Sequence, residues 1–213
     1  MEKYIEHTLL KQDATEKELI NLFEEAKKYK FLGVCINPCY VKLAHDYLKG
    51  SDVKIVTVIG FPLGANKTEV KVFETKCAIE DGADEVDMVI NVTWLKDKKY
   101  DFIINEIKEI KKAAGNHILK VILETDLLTK EEIKKACELC IEGGADIVKT
   151  STGFVKNGVG AKAEDVKLMY ETVSKHGLQV KASGGIRDRE AAERMIKAGA
   201  TRLGTSSGVK IVS

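Results

Sequence analysis

Residues 143–153 read GGADIVKTSTG, and two other stretches follow the same pattern: DGADEVDMVIN at 81–91 and AGATRLGTSSG at 198–208. In each copy a glycine, an alanine and a small polar residue precede a short run of the kind found in strands. Each copy also follows a helical pattern that ends in glycine, and glycine commonly ends a helix and leads the chain into the next element. The three copies therefore mark the joint between helix and strand in a repeating unit.

Strand and helix patterns alternate along the chain on both sides of these joints. Strands are predicted at 4–9, 33–37, 54–60, 85–92, 119–124, 147–152, 179–184 and 202–206, and helices at 15–29, 67–80, 102–114, 130–141, 163–175 and 188–198. Strict alternation predicts parallel strands joined by crossover helices, and eight such units close into a (β/α)8 TIM barrel. We expect residues 1–213 to form this α/β barrel as a single domain.

An open, doubly wound sheet is the alternative fold. No predicted strand is followed by the GxGxxG fingerprint of dinucleotide-binding sheets, and eight units divide poorly into two halves. The barrel is therefore favoured. The chain ends soon after the eighth strand, so the last helix is predicted to be short or absent.

Composition narrows the classes of partner. The 34 Lys and Arg residues balance 33 Asp and Glu residues, and a net charge of +1 provides no field that would favour nucleic acid or an anionic membrane. No apolar run approaches the roughly 20 residues that span a bilayer, and MEKYIEHTLL lacks the core of a signal peptide. The five cysteines show no disulfide-scaffold spacing, and the CxxC of Cys137 and Cys140 is interpreted as two helix-face thiols. We expect a cytoplasmic protein.

Charged side chains alternate with apolar ones in the predicted strands from the fourth to the seventh. Successive strand residues face opposite sides, so the apolar set packs against the helices and the charged set points into the barrel. The predicted inward set is Asp87, Lys120, Glu124, Lys149 and Lys181. A buried ion-pair network without chemistry is the simpler interpretation. Because barrel enzymes place their active sites at the carboxyl ends of the strands, we favour a catalytic one.

Two inward lysines on consecutive strands suit a particular chemistry. Lys149 and Lys181 each disfavour the other's charge, and a lysine held as the free amine is a nucleophile. Such an amine can add to an aldehyde and form an iminium ion that withdraws electrons from the adjacent carbon-carbon bond. The four histidines are scattered and no HxH or HExxH spacing occurs, so no metal site is predicted.

Small and hydroxyl residues follow the seventh and eighth strands, in SGGIR and GTSSG. In barrels, the loops after these strands frequently form a phosphate cradle from backbone N–H groups. The candidate phosphate-binding residues are Ser183, Gly184, Gly185, Gly204, Ser206 and Ser207.

Taken together, HTLL, VCINP, VIGFPLG, EVDMVIN, LKVILET, VKTSTGF, KASGGIR and GTSSG resemble the deoxyribose-phosphate aldolase family, nearly end to end and in the family's order. The resemblance implies reversible cleavage of 2-deoxy-D-ribose 5-phosphate to D-glyceraldehyde 3-phosphate and acetaldehyde, in deoxyribose catabolism. It implies neither a metal nor an organic cofactor. It also implies a homo-oligomer, a dimer or larger, although no interface can be identified from periodicity.

The resemblance also implies roles for individual residues. By position, Lys149 is the Schiff-base nucleophile, Lys181 is the second lysine that perturbs it, and Asp87 shuttles protons with Lys181. Lys120 is expected to pair with Asp87 or Glu124 and to orient the site.

Two positions depart from the family pattern. Glu6 stands in EHTLL where the family often has Asp, and either Glu6 or Thr8 is expected at the mouth of the barrel. VKNGVGA follows KTSTGF where many relatives have small residues, which makes Lys156 unusual. This loop is a candidate to close on the phosphate.

Three other functions remain open on the residues alone. A transaldolase or keto-acid aldolase would use the same lysine chemistry on another carbonyl compound. A phosphosugar isomerase would use Asp87 with Cys35, which is predicted to point inward as a supporting residue, although a core thiol is the simpler interpretation. A catalytically idle sugar-phosphate-binding protein would keep buried lysines at a cost in stability.

Overall fold

A closed barrel of eight parallel strands forms the centre of the structure, a computed structural model that describes residues 1–213. The strands are β1 (Ile5–Leu9), β2 (Gly33–Ile36), β3 (Lys54–Ile59), β4 (Glu85–Val89), β5 (Ile118–Ile122), β6 (Ile147–Lys149), β7 (Gln179–Ser183) and β8 (Arg202–Thr205). Each strand pairs with its neighbours in chain order, and β8 pairs with β1. The predicted (β/α)8 fold is confirmed.

Helices connect the strands on the outside of the barrel. They are α1 (Glu16–Lys28), α2 (Val41–Leu48), α3 (Thr68–Glu80), α4 (Val92–Lys96), α5 (Tyr100–Ala114), α6 (Lys130–Gly143), α7 (Ala163–Val173), α8 (Arg189–Lys197) and α9 (Gly208–Val212). As predicted, the helix after β8 is short. Single 3-10 turns lie at Glu2–Tyr4, Pro38–Tyr40, Thr125–Leu127 and Ser174–His176.

The predicted fourth strand is too long at its carboxyl end. β4 ends at Val89, and α4 begins within the predicted strand because the Asn91 side chain accepts a hydrogen bond from the Trp94 N–H at 3.1 Å. Asparagine is a strong helix N-cap, and a cap at this position diverts the chain from the sheet.

The repeated joint has a common structure in its three copies. The glycine in each copy, Gly82, Gly144 or Gly199, has a positive φ of 105°, 81° or 112°. Glycine adopts this conformation without steric cost, which allows each helix to end sharply. The following aspartates, Asp84 and Asp146, each accept a backbone N–H of the preceding strand at 2.8 Å. In these two copies the small polar residue therefore links its own strand to the preceding one by a hydrogen bond near their amino ends.

The apolar core separates into two parts. A cluster of 46 buried residues fills the layer between the strands and the helices, and it includes Cys137 and Cys140. These two thiols are buried as predicted, and burial raises the pKa of each. A second cluster, formed by Leu10, Cys35, Val56 and Val58, is separate from this layer. None of the helices combines the length and the hydropathy that a membrane span requires.

Candidate active site

Asp87 lies at the centre of a buried cluster of lysines. Its Oδ2 atom is 2.8 Å from the Nζ of Lys149 and 2.6 Å from the Nζ of Lys181. Its Oδ1 atom is 2.9 Å from the Nζ of Lys120. The structure thus brings together four of the five charged residues that strand alternation directs into the barrel.

Two further carboxylates complete the cluster. Glu6 contacts the Nζ of Lys181, and its Oε1 atom lies 3.5 Å from the Nζ of Lys120. Glu85 Oε2 lies 2.5 Å from the same Lys120 nitrogen. Three anions therefore face three cations, which satisfies the requirement that buried charges be paired.

Glu6 was a candidate for the mouth of the barrel, but its side chain is fully buried among the lysines. The signal that could have placed it is the alternation of β1, in which Glu6 lies between Ile5 and His7. His7 points to the helix layer, where its Nε2 atom is 2.7 Å from Glu25 of α1. Glu6 must then face the opposite side, the interior of the barrel.

The cluster fixes the charge states of its acids. Burial alone would raise the pKa of Asp87, but the ammonium groups of Lys120, Lys149 and Lys181 hold it well below its usual value. Burial likewise opposes ionisation of Glu6, and Lys120 and Lys181 lower its pKa.

Two of the lysines remain cations in this environment. Burial would lower the pKa of Lys181, yet Asp87 and Glu6 raise it well above its ordinary value. The same balance of burial against Asp87 and Glu6 raises the pKa of Lys120. Lys181 therefore presents a positive charge beside Lys149.

Glu124 is buried close to Lys149 but forms no ion pair with the lysine cluster. β5 ends at Ile122, and Glu124 has a left-handed backbone with φ 62° and ψ 61°. Its carboxylate accepts hydrogen bonds from Thr152, from the N–H at 3.0 Å and from the hydroxyl. Lys120 consequently pairs with Asp87 rather than with Glu124. Burial raises the pKa of Glu124.

Cys35 is buried in the barrel, where its sulfur and the carboxylates of Glu6 and Asp87 lie within 4.8 Å of one another. This trio could in principle ligate a metal ion. However, both carboxylates are already in contact with the Lys181 ammonium group, and a second cation there would be repelled. Burial raises the pKa of the Cys35 thiol, so the thiolate that a metal requires is disfavoured.

The predicted phosphate-binding residues divide into two groups. Both donors of Ser183 already have acceptors within the protein. Its hydroxyl donates to the Ser151 carbonyl at 2.6 Å, and its N–H donates to the Thr150 hydroxyl at 3.0 Å. The Ser207 N–H donates to the Thr205 hydroxyl at 2.9 Å. Gly204 leaves room for the Lys181 side chain, since a Cβ atom at position 204 would lie 3.1 Å from Lys181 Cε.

The other group consists of Gly184, Gly185 and Ser206, whose N–H groups donate no hydrogen bond to any protein atom. Gly184 and Gly185 have positive φ values of 85° and 74°, a turn conformation that exposes successive N–H groups. They follow β7, and Ser206 follows the adjacent β8. We call these three residues the N–H cradle. Free N–H groups at the carboxyl ends of adjacent strands suit an anion.

A pocket of about 450 Å³ lies beside the barrel mouth, at the loops after β3, β4, β5 and β6. Glu124, Thr152 and Phe154 line it. Phe154 also meets Phe61 edge to face, with ring centroids 5.1 Å apart, so the loops after β3 and β6 touch across the mouth. No sequence pattern indicated this contact.

Comparison with known proteins gives a consistent result along the whole chain. Residues 1–213 match the model of the family described as DeoC/LacD family aldolase. A deoxyribose-phosphate aldolase of Clostridium botulinum (strain Kyoto / Type A2) is 59% identical over 212 residues, which cover 100% of this chain and 99% of that protein.

Solved structures agree. A protein of Coccidioides immitis assigned as a deoxyribose-phosphate aldolase is 47% identical, with a TM-score of 0.96 over 99% of this chain and 83% of that one. A tetrameric deoxyribose phosphate aldolase of Aeropyrum pernix is 35% identical, with a TM-score of 0.89 over 98% of this chain and 88% of that one.

Proposed function

Because this chain belongs to the DeoC/LacD family of aldolases, we propose that it cleaves 2-deoxy-D-ribose 5-phosphate reversibly to D-glyceraldehyde 3-phosphate and acetaldehyde through a lysine Schiff base. The observation that carries the proposal is the position of Lys149. This lysine ends β6 and holds its Nζ 2.8 Å from Asp87, beside the Lys181 ammonium group.

Lys149 is the least committed of the three buried lysines. Lys120 contacts three carboxylates and Lys181 contacts two, whereas Lys149 contacts Asp87 alone. The Lys149 side chain is also the only one of the three with any exposure, 4% against 0%. It can therefore leave its partner and meet a substrate at lower cost than the other two.

The reaction begins when the Lys149 ammonium group loses a proton, for which Asp87 Oδ2 is the nearest relay. The free amine then adds to the C1 aldehyde of the open-chain sugar. Loss of water from the adduct gives an iminium ion. The C2–C3 bond then breaks, its electron pair forms an enamine, and a base removes the proton of the C3 hydroxyl to release glyceraldehyde 3-phosphate. Protonation of the enamine and hydrolysis release acetaldehyde and restore the amine.

Lys181 and Asp87 serve proton transfer in this scheme. Because Lys181 remains an ammonium group, it can donate a proton to the oxygen that leaves as water. Asp87 contacts both lysines through one oxygen, so it can pass protons between them directly or through a water molecule. Lys120, held by Glu6, Glu85 and Asp87, orients Asp87 and takes no part in bond formation.

The N–H cradle supports the phosphorylated substrate. Its three N–H groups have no partner in the protein and lie after β7 and β8, beside the strands that hold Lys181 and Lys149. They suit the 5-phosphate while C1 meets Lys149.

Borohydride reduction tests the proposal. Incubation with deoxyribose 5-phosphate or acetaldehyde in the presence of borohydride should leave a reduced adduct on Lys149, located by peptide mass mapping. Lys149→Leu should give neither adduct nor cleavage, while Lys96→Leu, at an exposed helix position, should retain both. An adduct confined to Lys181, or turnover without any adduct, would refute the assignment.

Other functions are less well supported. An isomerase that used Asp87 with Cys35 as base and acid is less well supported, because burial raises the pKa of the Cys35 thiol and makes it a weaker acid. A transaldolase or keto-acid aldolase would share the Lys149 adduct. A panel of aldehyde and keto-acid substrates distinguishes it, and we expect deoxyribose 5-phosphate to be preferred.

We also infer a cytoplasmic role in carbohydrate degradation. In support, all five cysteines are free thiols, as in proteins of a reducing compartment. We further infer a homo-oligomer. The face that supports it is a groove of about 700 Å³ between α3 and α5, bordered by the exposed rings of Phe73 and Phe102. Lys67 and Lys76 line this groove together with Glu109, so a second copy could present charges complementary to the first.

A further inference from the structure

Asp126 follows β5, and its side chain is only 8% exposed although it touches neither the lysine cluster nor the N–H cradle. Its Oδ2 atom accepts a hydrogen bond from the Gly160 N–H at 2.7 Å, and its Oδ1 atom lies 3.6 Å from the Nζ of Lys162. A Cβ atom added at Gly158 would be 2.7 Å from Oδ2. All three contacts fall in the second half of the segment 150–162, here called the β6–α7 loop.

The same part of the loop packs directly on the N–H cradle. The Ala161 N–H donates to the Gly184 carbonyl at 3.0 Å. A Cβ atom at Gly160 would lie 2.4 Å from the Gly184 carbonyl carbon, and one at Gly185 would lie 2.4 Å from the Val159 carbonyl oxygen. Asp126 is therefore linked to the cradle through one backbone hydrogen bond and a close backbone contact.

The loop needs such an anchor because of its composition. Gly153, Asn157 and Gly160 have positive φ values of 83°, 60° and 78°. A glycine-rich segment loses much conformational entropy when it is ordered, and few apolar side chains are available here to compensate. A hydrogen bond to an ionised carboxylate is among the stronger ones a backbone N–H can make.

We propose that Asp126 is a positioning residue for the phosphate end of the substrate: it fixes the β6–α7 loop against Gly184 and Gly185 and so shapes the cradle that binds the phosphate. This inference rests on the proposed function and adds a determinant of its specificity. Asp126 does not bind the phosphate itself, since its carboxylate is an anion and its Oδ2 atom already accepts the hydrogen bond from the Gly160 N–H.

The direction in which phosphate affinity changes when Asp126 is replaced distinguishes a positioning role from a purely electrostatic one. Removal of a negative charge near an anion site should tighten phosphate binding if charge alone mattered. Asp126→Ala removes the hydrogen bond as well, so we expect KM for deoxyribose 5-phosphate to rise about tenfold. We expect kcat, and KM for unphosphorylated deoxyribose, to stay within about twofold, because the lysine cluster is untouched.

Two matched variants complete the experiment. Asp126→Asn keeps a side-chain oxygen for the Gly160 N–H and should leave KM near the wild-type value. Asp84 makes nearly identical contacts at the opposite end of the barrel, with Oδ2 2.8 Å from the Ile55 N–H and Oδ1 3.5 Å from Lys54 Nζ. Asp84→Ala should therefore leave the ratio of the two KM values unchanged.

Inorganic phosphate provides a second readout as a competitive inhibitor, and its inhibition constant should rise in Asp126→Ala in parallel with KM. If that variant does not fold, Asp126→Ser, whose hydroxyl is too short to reach the loop, is measured instead. Equal losses with the two sugars, or a lower KM in the alanine variant, would overturn the inference alone. A wild-type protein that neither cleaves the sugar nor forms the Lys149 adduct would overturn the proposed function as well.

Discussion

Asp87 allows three lysines to be buried together. Each ammonium group would be strongly disfavoured inside the barrel on its own, and the carboxylates of Glu6, Glu85 and Asp87 offset that cost. The contacts are unequal. Loss of one lysine therefore has consequences that depend on which carboxylate it leaves unpaired.

Lys181→Leu should lower the free energy of unfolding by about 3–5 kcal/mol, because Glu6 would keep only the Lys120 contact at 3.5 Å. Lys149→Leu should cost less, since Asp87 would retain Lys120 and Lys181. Urea denaturation at pH 7 compares the two variants with the wild type. Equal losses would contradict the view that Glu6 depends on Lys181.

The alternation of apolar and charged residues was sufficient to predict that one group of side chains lies together inside the barrel, because a strand has a fixed period of two. That group is Asp87, Lys120, Lys149 and Lys181. Alternation does not determine the contacts of Glu124, because β5 ends at Ile122 and Glu124 lies beyond the strand. No sequence pattern indicates that β5 ends there.

Among the elements, α3 has the least predictable orientation. Lys71 is fully buried in it, whereas Phe73 is 69% exposed. The reason is a specific partner: Lys71 Nζ is 2.9 Å from Glu106 of α5 and 2.9 Å from the Val89 carbonyl at the end of β4. A pairing between residues distant in sequence cannot be detected from local hydrophobicity. Local hydrophobicity alone would favour burial of Phe73 and exposure of Lys71.

The Lys71–Glu106 pair should stabilise the packing of α3 on α5. Lys71→Met should lower the free energy of unfolding by about 3–5 kcal/mol, because the buried Glu106 would keep only the Thr68 hydroxyl and no cation. The double variant Lys71→Met/Glu106→Leu should recover much of that loss. Chemical denaturation of the four proteins in the cycle measures the coupling, and additive effects would contradict it.

On the scale of the whole molecule, the lysine cluster ties six of the eight strands together through charged contacts. Its residues come from β1, β4, β5, β6 and β7, and Arg202 of β8 lies 3.7 Å from Glu85. Three similar joints and the alternation of strand and helix patterns between them predicted the barrel that these contacts cross. The charge balance inside it depends on pairings between strands distant in sequence.

Stability should therefore fall steeply in acid. The pKa values of Asp87 and Glu6 are lowered in the folded protein, so their ion pairs contribute fully above the ordinary carboxyl range, about pH 4, and are lost as pH falls through the folded values. Urea denaturation between pH 2 and 7 should show little change down to about pH 4 and a marked decline below it.

High salt is the control for this acid dependence. In 1 M NaCl the exposed ion pairs are screened, because the Debye length falls to about 3 Å, whereas the buried cluster is shielded from the ions. The decline below about pH 4 should therefore persist in salt. Its disappearance would assign the acid sensitivity to surface carboxylates instead.

The outer face of α3 and α5 determines the expected assembly. Phe73 and Phe102 are 69% and 59% exposed and line the same groove, and exposed apolar rings grouped in this way mark interaction sites. Two copies related by a two-fold axis would cover both pairs of rings and place lysines of one copy near glutamates of the other. Phe73→Lys/Phe102→Lys should therefore shift the mass measured by light scattering to a smaller species without loss of helical signal. Tyr170→Lys, at a ring 43% exposed on α7, is the matched control and should leave the mass unchanged. An assembly that survives the double substitution would place the interface on another face of the barrel.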